Sequence, residues 1–365
     1  MSLDLATENK LGLNGFAFVE FTSPDPATMR RDLERLGFTA YAQRGDGATL
    51  FRQGNIVVIT NQAPAGHAAQ FRAAHGPSAN GMAFVVGNAA SAYAQAIENG
   101  AQAADAGQSL LGEGAHVLQG IGGALLYLVE PGFLQREFSP ERGFAPIAGA
   151  EAAERQNSVG LMMLDHLTHN LMRGHMRDWS KFYGEIFGFE EQKFFDIKGR
   201  ATGLFSQAMI APDRAIRIPL NESQDENSQI EEFIRAYGGE GIQHLAFTTA
   251  NIYGTVEKLR ARGVILQDTP ETYYELLDAR VPGHGEDVQR LRQNRILLDG
   301  HAGEEGLLLQ IFTDTMFGPI FFEIIQRKGN QGFGNGNFQA LFESIELDQI
   351  RRGVVTVDEQ KAAAE

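Results

Sequence analysis

The stretch HLAFTTANIYGTVEKLRARGV, residues 244–264, repeats with substitutions the stretch GMAFVVGNAASAYAQAIENGA, residues 81–101. Each reads as a short apolar strand, a polar turn and a helix ending at a glycine, Gly263 in one and Gly100 in the other. Two further stretches open the same way. GFAFVEFTSPDPATMRRDLERLGF starts at Gly15, with Pro26 suited to a first helical turn and Met29, Leu33 and Leu36 forming an apolar stripe. HLTHNLMRGHMRDWSKFYGEIFGF starts at His166, and in it Met176, Trp179, Phe182, Tyr183, Ile186 and Phe187 recur at helical spacing. The chain therefore carries four related units.

Short runs of strand character follow the helices: FTAYAQR, ATLFRQ and NIVVIT in the first unit, FEEQKFFDI, GLFSQAMI and AIRIPL in the third. The unit is βαβββ, which cannot bury both faces of its sheet alone and must pair with another copy. The expected class is α+β, with four βαβββ modules paired into two open-barrel domains over residues 1–150 and 158–355. The Ala-rich AGAEAAERQNS (148–158) reads as a linker, and 356–365 as a tail. This pattern resembles the vicinal oxygen chelate superfamily. The resemblance implies a sheet curled around a cavity, with metal ligands on inward-facing strand positions.

The bulk properties narrow the function. A formal net charge of -15 over 365 residues argues against nucleic acid or an anionic membrane as a partner. The absence of cysteine removes disulfides, thiolate ligands and cysteine nucleophiles together, so any metal must be bound through nitrogen and oxygen. No stretch has the length of a signal-peptide core or a membrane span, so a cytoplasmic protein is expected.

Aligning the repeats sets His166 against Gly15, His244 against Gly81, and Glu323 in PIFFEIIQ against Tyr127 in GALLYLVE. One half of a duplicated scaffold thus has three candidate ligands that the other lacks, so the strand pattern itself does not require them. Strand alternation puts His166, Thr168 and Asn170 on one face, and Phe321 with Glu323 on another. A lone histidine in a strand is usually a hydrogen-bonded core residue, and a glutamate there can pair with an arginine. A buried carboxylate with neither partner nor metal is costly, however, and no Lys or Arg occurs in its strand before Arg327. His166, His244 and Glu323 are therefore read as a metal triad, and His169, of opposite parity to His166, is not. Two imidazoles and a carboxylate leave positions open on an octahedral ion, which suits iron(II) oxygenases but also admits manganese, cobalt or zinc.

The C-terminal half contains DHLTHN, RIPLNE, SQIEEFI, GIQHLAF, LLLQIFT, FFEIIQR, GFGNGNF and LFESIE in that order. That series closely resembles the 4-hydroxyphenylpyruvate dioxygenase family. The resemblance implies one Fe(II) per chain and the conversion of 4-hydroxyphenylpyruvate and dioxygen to homogentisate and CO2. The reaction would proceed by oxidative decarboxylation, ring hydroxylation and side-chain migration, a step of tyrosine and phenylalanine catabolism. Carried over by motif, Ser206, Asn221, Gln229 and Gln243 would form a polar network near the substrate, and Pro219 would shape the wall. Simple alternation points Gln243 away from the His244 face unless the strand is irregular there. Gln310 and Phe312 share a strand face and are expected beside the metal, Gln310 to orient a ligand. Phe321 belongs to the same pocket.

GFGNGNF (332–338) lacks the surroundings of a nucleotide-binding loop and the lysine of a phosphate loop. It reads as a hinge before an amphipathic helix, with Asn337 near the N-cap and Phe338 and Leu341 on one side. Phe333, Phe338 and Phe342 are expected to form an aromatic lid, with Phe338 stacked on the substrate ring. Two other readings stay open, a hydroxymandelate synthase and an extradiol-type dioxygenase; a metal-free binding or resistance protein of the same superfamily suits the N-terminal half by itself and fails for the half with the triad. Assembly into a homo-oligomer, a dimer or tetramer, is the expected role of the metal-free half.

Overall fold

The computed structural model describes residues 8–198, 203–226, 228–303, 305–334, 336–337 and 340–341. Its strands form two eight-stranded sheets. The first is built from β1 (Phe16–Thr22), β2 (Thr39–Gln43), β3 (Ala48–Gln53), β4 (Ile56–Asn61), β5 (Ser78–Val85), β6 (His116–Gln119), β7 (Leu125–Val129) and β8 (Ala145–Pro146). The second uses β9 (Leu161–Leu171), β10 (Glu190–Lys198), β11 (Gly203–Ile210), β12 (Arg217–Ser223), β13 (Gly241–Thr249), β14 (Leu297–His301), β15 (Gly306–Phe312) and β16 (Phe321–Lys328).

The spatial orders are β6-β7-β5-β1-β4-β3-β2-β8 and β10-β11-β12-β9-β13-β16-β15-β14. In both, the first strands of two successive modules lie side by side, β1 with β5 and β9 with β13. This is the α+β vicinal oxygen chelate arrangement that the repeats predict. In the second and fourth modules the strand after the helix shrinks to isolated bridges, at Ala103 with Leu118 and at Leu266 with Thr313.

Local chemistry sets the helix ends. Asp25 accepts from the Thr28 amide and Pro26 fills the first turn of helix Pro26–Arg35. Asn88, Ser228 and Asn251 cap the helices Ala89–Glu98, Gln229–Tyr237 and Ile252–Ala261 in the same way. The helix opening at Met176 continues into a π turn over Phe182–Ile186, which buries Tyr183 and Ile186. The stretch expected as a linker is itself helical, Ala150–Asn157. Its Glu154 accepts from the Tyr41 hydroxyl and, at 2.8 Å, from the Gly54 amide. Those bonds join the helix to β2 and to the turn after β3.

By packing, the described residues of Met1–Phe247 and Thr315–Phe322 form one compact unit, and those of Thr248–Asp314 and Glu323–Glu365 another. In the first unit, the interior of the N-terminal sheet is filled by Tyr127, Leu110, Leu111, Phe138 and Phe144 against Phe18, Leu50 and Ile59. In the second, Leu291, Leu298, Leu309, Ile324 and Tyr273 are fully buried or nearly so. Among the described residues no helix is long and apolar enough to cross a membrane.

Candidate metal centre

His166, His244 and Glu323 are each buried, and each offers one ligand atom such that all three lie within 4.8 Å of one another. Metal bonds of ~2.1 Å place adjacent ligands about 3 Å apart, so closure around an ion needs shifts of only about 1 Å per side chain. The donor set is two neutral imidazoles and one carboxylate, which fits a divalent ion with coordination positions left open.

Each candidate ligand is oriented by a neighbour. Asp165 Oδ1 lies 2.9 Å from His166 Nδ1, and its Oδ2 accepts from Arg217 Nη1 at 3.1 Å. With Nδ1 donating to Asp165, Nε2 is the ring atom of His166 that can ligate an ion. Gln243 Oε1 lies 2.9 Å from His244 Nδ1, which leaves Nε2 of His244 to face the Thr168 hydroxyl at 3.0 Å. Gln243 therefore reaches its neighbour in sequence although strand parity points the two apart. The Phe321 ring stacks on His244, with centroids 4.8 Å apart and planes 19° from parallel.

Gln310 Nε2 donates to Glu323 Oε1 at 2.9 Å, and Gln310 Oε1 accepts from Asn337 Nδ2 at 2.7 Å. Asn337 Oδ1 accepts from the Tyr273 hydroxyl at 2.5 Å, and that oxygen accepts from Arg280 Nη2 at 2.6 Å. Burial pushes the Tyr273 phenol up to about 12, against the opposing pull of Arg280, so it remains a donor at neutral pH. A directed chain of hydrogen bonds thus runs from a guanidinium to the carboxylate ligand. The glycines of GFGNGNF make it possible. Gly334 has φ +77°, and a Cβ there would sit 1.6 Å from Gln310 Oε1.

The remaining expected pocket residues divide into those on the metal face and those elsewhere. Across neighbouring strands, Asn170 pairs in register with Asn221, and Asn221 with Ser206. Residues in register share a sheet face, so these three lie on the face of His166 and Thr168. Pro219, two residues before Asn221, is buried on that face. Phe312 pairs in register with Glu323 and is half-buried, as are Phe321, Phe333 and Leu341. Gln229 is exposed on the first turn of its helix. Phe338 and Phe342 lie outside the described residues. His169 points away from the metal face, its Nε2 2.7 Å from the Tyr183 hydroxyl, and burial lowers its pKa to about 3.

In the N-terminal half the positions aligned with the triad are built differently. At the position aligned with Glu323, Tyr127 donates to Glu20 Oε2 at 2.7 Å, while Asn61 and Asn80 donate to Oε1 at 2.7 and 2.8 Å. A Cβ on Gly81 would lie 3.0 Å from the Tyr127 ring and 3.1 Å from Glu20 Oε2. A histidine at the position that corresponds to His244 would have to displace the Tyr127 ring and Glu20.

Asp165, Arg217, Tyr273 and Arg280 were not identified from the sequence. Asp165 directly precedes His166, but parity assigns it to the opposite face. Tyr273 and Arg280 sit in the insertion between β13 and β14, which has no counterpart in the other modules.

Comparison with known proteins agrees with the geometry. The family model described as hydroxyphenylpyruvate dioxygenase, N-terminal, matches residues 7–135, and that of the glyoxalase/bleomycin resistance protein/dioxygenase superfamily matches 163–277. The chain is 53% identical to the 4-hydroxyphenylpyruvate dioxygenase of Pseudomonas aeruginosa, over 95% of this chain and 97% of that one. It is 51% identical to hemolysin VllY of Vibrio vulnificus, over 95% and 98% respectively. Among solved structures, a mutant 4-hydroxymandelate synthase from Streptomyces coelicolor superposes with a TM-score of 0.78 at 28% identity, covering 93% of this chain and 99% of that one. By near full-length identity, by both matched regions and by fold, the chain belongs to the 4-hydroxyphenylpyruvate dioxygenase family.

Proposed function

We propose that this chain uses one Fe(II) to convert 4-hydroxyphenylpyruvate and dioxygen to homogentisate and CO2. The observation that carries the reading is the buried triad of His166, His244 and Glu323 in a chain of this family. Bound iron would supply the redox chemistry by which dioxygen reacts with an organic acid.

The chain's own residues have three tasks in this reading. His166, His244 and Glu323 hold the ion, while Asp165, Gln243 and Gln310 fix the orientation of these ligands. Ser206, Asn221 and Pro219 line the metal face away from the ligands, and Phe312, Phe321, Phe333 and Leu341 provide apolar cover that excludes water from the reacting carbon. Asn337 ties the segment that leads into the expected lid to Gln310, and so to the ligand shell. Residues 1–150 serve as a metal-free half and 158–355 as the catalytic half. We further read the chain as a cytoplasmic homo-oligomer.

Hydroxylation at the benzylic carbon is the second reading, favoured by the fold likeness to the mandelate synthase. The test is anaerobic addition of Fe(II) and 4-hydroxyphenylpyruvate, followed by oxygen and product identification. Homogentisate with one CO2 released per oxygen consumed is expected. Hydroxymandelate would establish the second reading, and oxygen-independent or iron-independent turnover would overturn both.

A further inference from the structure

Asn170 is fully buried, and neither end of its amide has a hydrogen-bond partner. Among the described residues no other side chain has two polar atoms buried in this state. Burying an amide with neither end satisfied destabilises a fold, so a residue kept there calls for a role outside folding.

Its placement indicates that role. Strand β9 carries His166, Thr168 and Asn170 on one face, and the Thr168 hydroxyl beside His244 Nε2 identifies that face as the metal one. Four residues of strand separate His166 from Asn170, or about 13 Å. At the Asn170 end a straight row crosses three adjacent strands: Asn170, then Asn221, then Ser206. The face therefore has a metal end and an amide end. His169 is turned to the opposite side, against Tyr183.

We infer that Asn170 is a specificity-determining residue that recognises the ring hydroxyl of a 4-hydroxyarylpyruvate whose acid end lies at the triad. This rests on the function proposed above. A phenol can donate to the amide oxygen or accept from the amide nitrogen, so the match does not depend on which way the Asn170 amide is turned. A site that hydrogen-bonds a substrate hydroxyl rejects the analogue without it, because its own polar groups are then left unpaired.

The test uses the full Fe(II)-loaded chain under anaerobic conditions, with Asn170→Leu and Asn170→Ala as variants. Binding of 4-hydroxyphenylpyruvate and of phenylpyruvate, which lacks the ring hydroxyl, is measured by calorimetry, with the Tm of each protein. The wild type should prefer the hydroxylated acid, and both variants should reduce that preference about tenfold or more. The Tm of Asn170→Leu should stay level or rise, because an unpartnered amide has been replaced by an aliphatic group of similar size. Equal weakening of both acids with a fall in Tm would show a structural residue and overturn the inference, as would an unchanged preference. Failure of the proposed reaction shows separately, as no homogentisate when oxygen is admitted to the wild type.

Discussion

Gln310 holds its amide nitrogen 2.9 Å from a carboxylate oxygen of Glu323, and this bond links the candidate metal ligand to a chain of side chains behind it. Because Gln310 donates with its nitrogen, its oxygen is available to Asn337, whose own oxygen is then available to the Tyr273 hydroxyl. The orientation of each amide is fixed by the next, and Arg280, which can only donate, sets the direction of the whole chain. Replacing Gln310 with leucine should weaken metal binding about 10-fold or more, the usual effect of removing a group that orients a ligand. Titration with cobalt(II), followed by its visible spectrum, measures this without turnover. An unchanged affinity would remove Gln310 from the metal site.

Tyr273→Phe tests the far end of the same chain. The substitution deletes only the hydroxyl, which also accepts from the Leu298 amide at 2.9 Å. It leaves buried groups of Asn337 and Leu298 short of a partner, at a cost of about 1–3 kcal/mol each. Chemical denaturation should show a loss in that range, and metal affinity should fall less than in Gln310→Leu. A variant with full stability would mean that the Tyr273 hydroxyl is not a fixed member of the chain.

Gly334→Ala addresses the segment itself. The added methyl would overlap Gln310 Oε1, and φ +77° disfavours any side chain at that position. Either the segment lifts away or the Gln310 amide turns aside, and each breaks the bond between Asn337 and Gln310. Substrate turnover should fall by well over the effect on metal binding, while the far-ultraviolet circular dichroism stays that of the parent. If turnover and cobalt affinity fall together, the segment acts through the ligand shell and not as cover over the substrate.

These relationships show what could be read in the sequence and what could not. The repeat of 81–101 in 244–264 made the double-module fold legible, because strand and helix periodicities survive substitution of nearly every side chain. The triad was legible because His244 and Glu323 replace residues that, in the other half, are Gly81 and Tyr127. Periodicity reports which face a side chain occupies, however, and not how far it reaches. It therefore misjudged Gln243, whose amide bends back to His244, and missed Asp165, which does the same to His166. Tyr273 and Arg280 were hidden for another reason. Their insertion has no repeat partner, and their contacts cross from residue 273 to residues 298 and 337, pairings that no local pattern encodes.

Metal loading should stabilise the fold by mass action, since the triad draws on residues at 166, 244 and 323 that come together only when the chain is folded. An ion at 100 times its dissociation constant contributes about 2.7 kcal/mol. Chelation should therefore lower Tm, and Glu323→Ala should abolish the metal-dependent part of the shift. In the metal-free protein that substitution has a cost of its own, about 1–3 kcal/mol, because it leaves the buried Gln310 amide without its acceptor, so the comparison is between the loaded and metal-free Tm of each protein. A metal-dependent rise in Tm that persists in Glu323→Ala would place the ion elsewhere.

The acid side of the stability profile should carry the signature of His169. Burial lowers its folded-state pKa to about 3, whereas an unfolded histidine titrates near 6.5. A depressed folded value means that its contribution is complete above pH ~6.5 and is lost as pH falls toward the folded value, because only the unfolded chain takes up the proton in that window. Full occupancy of that proton difference lowers stability by about 1.4 kcal/mol per pH unit. Denaturation of the metal-free protein between pH 7.5 and 5 should show this slope developing below pH 6.5, and His169→Gln should reduce it by one proton. The metal-free form is the right one to measure, since metal binding is itself pH-dependent. If His169→Gln keeps the parent slope, the proton uptake belongs to other groups and the buried imidazole is not the acid-sensitive element.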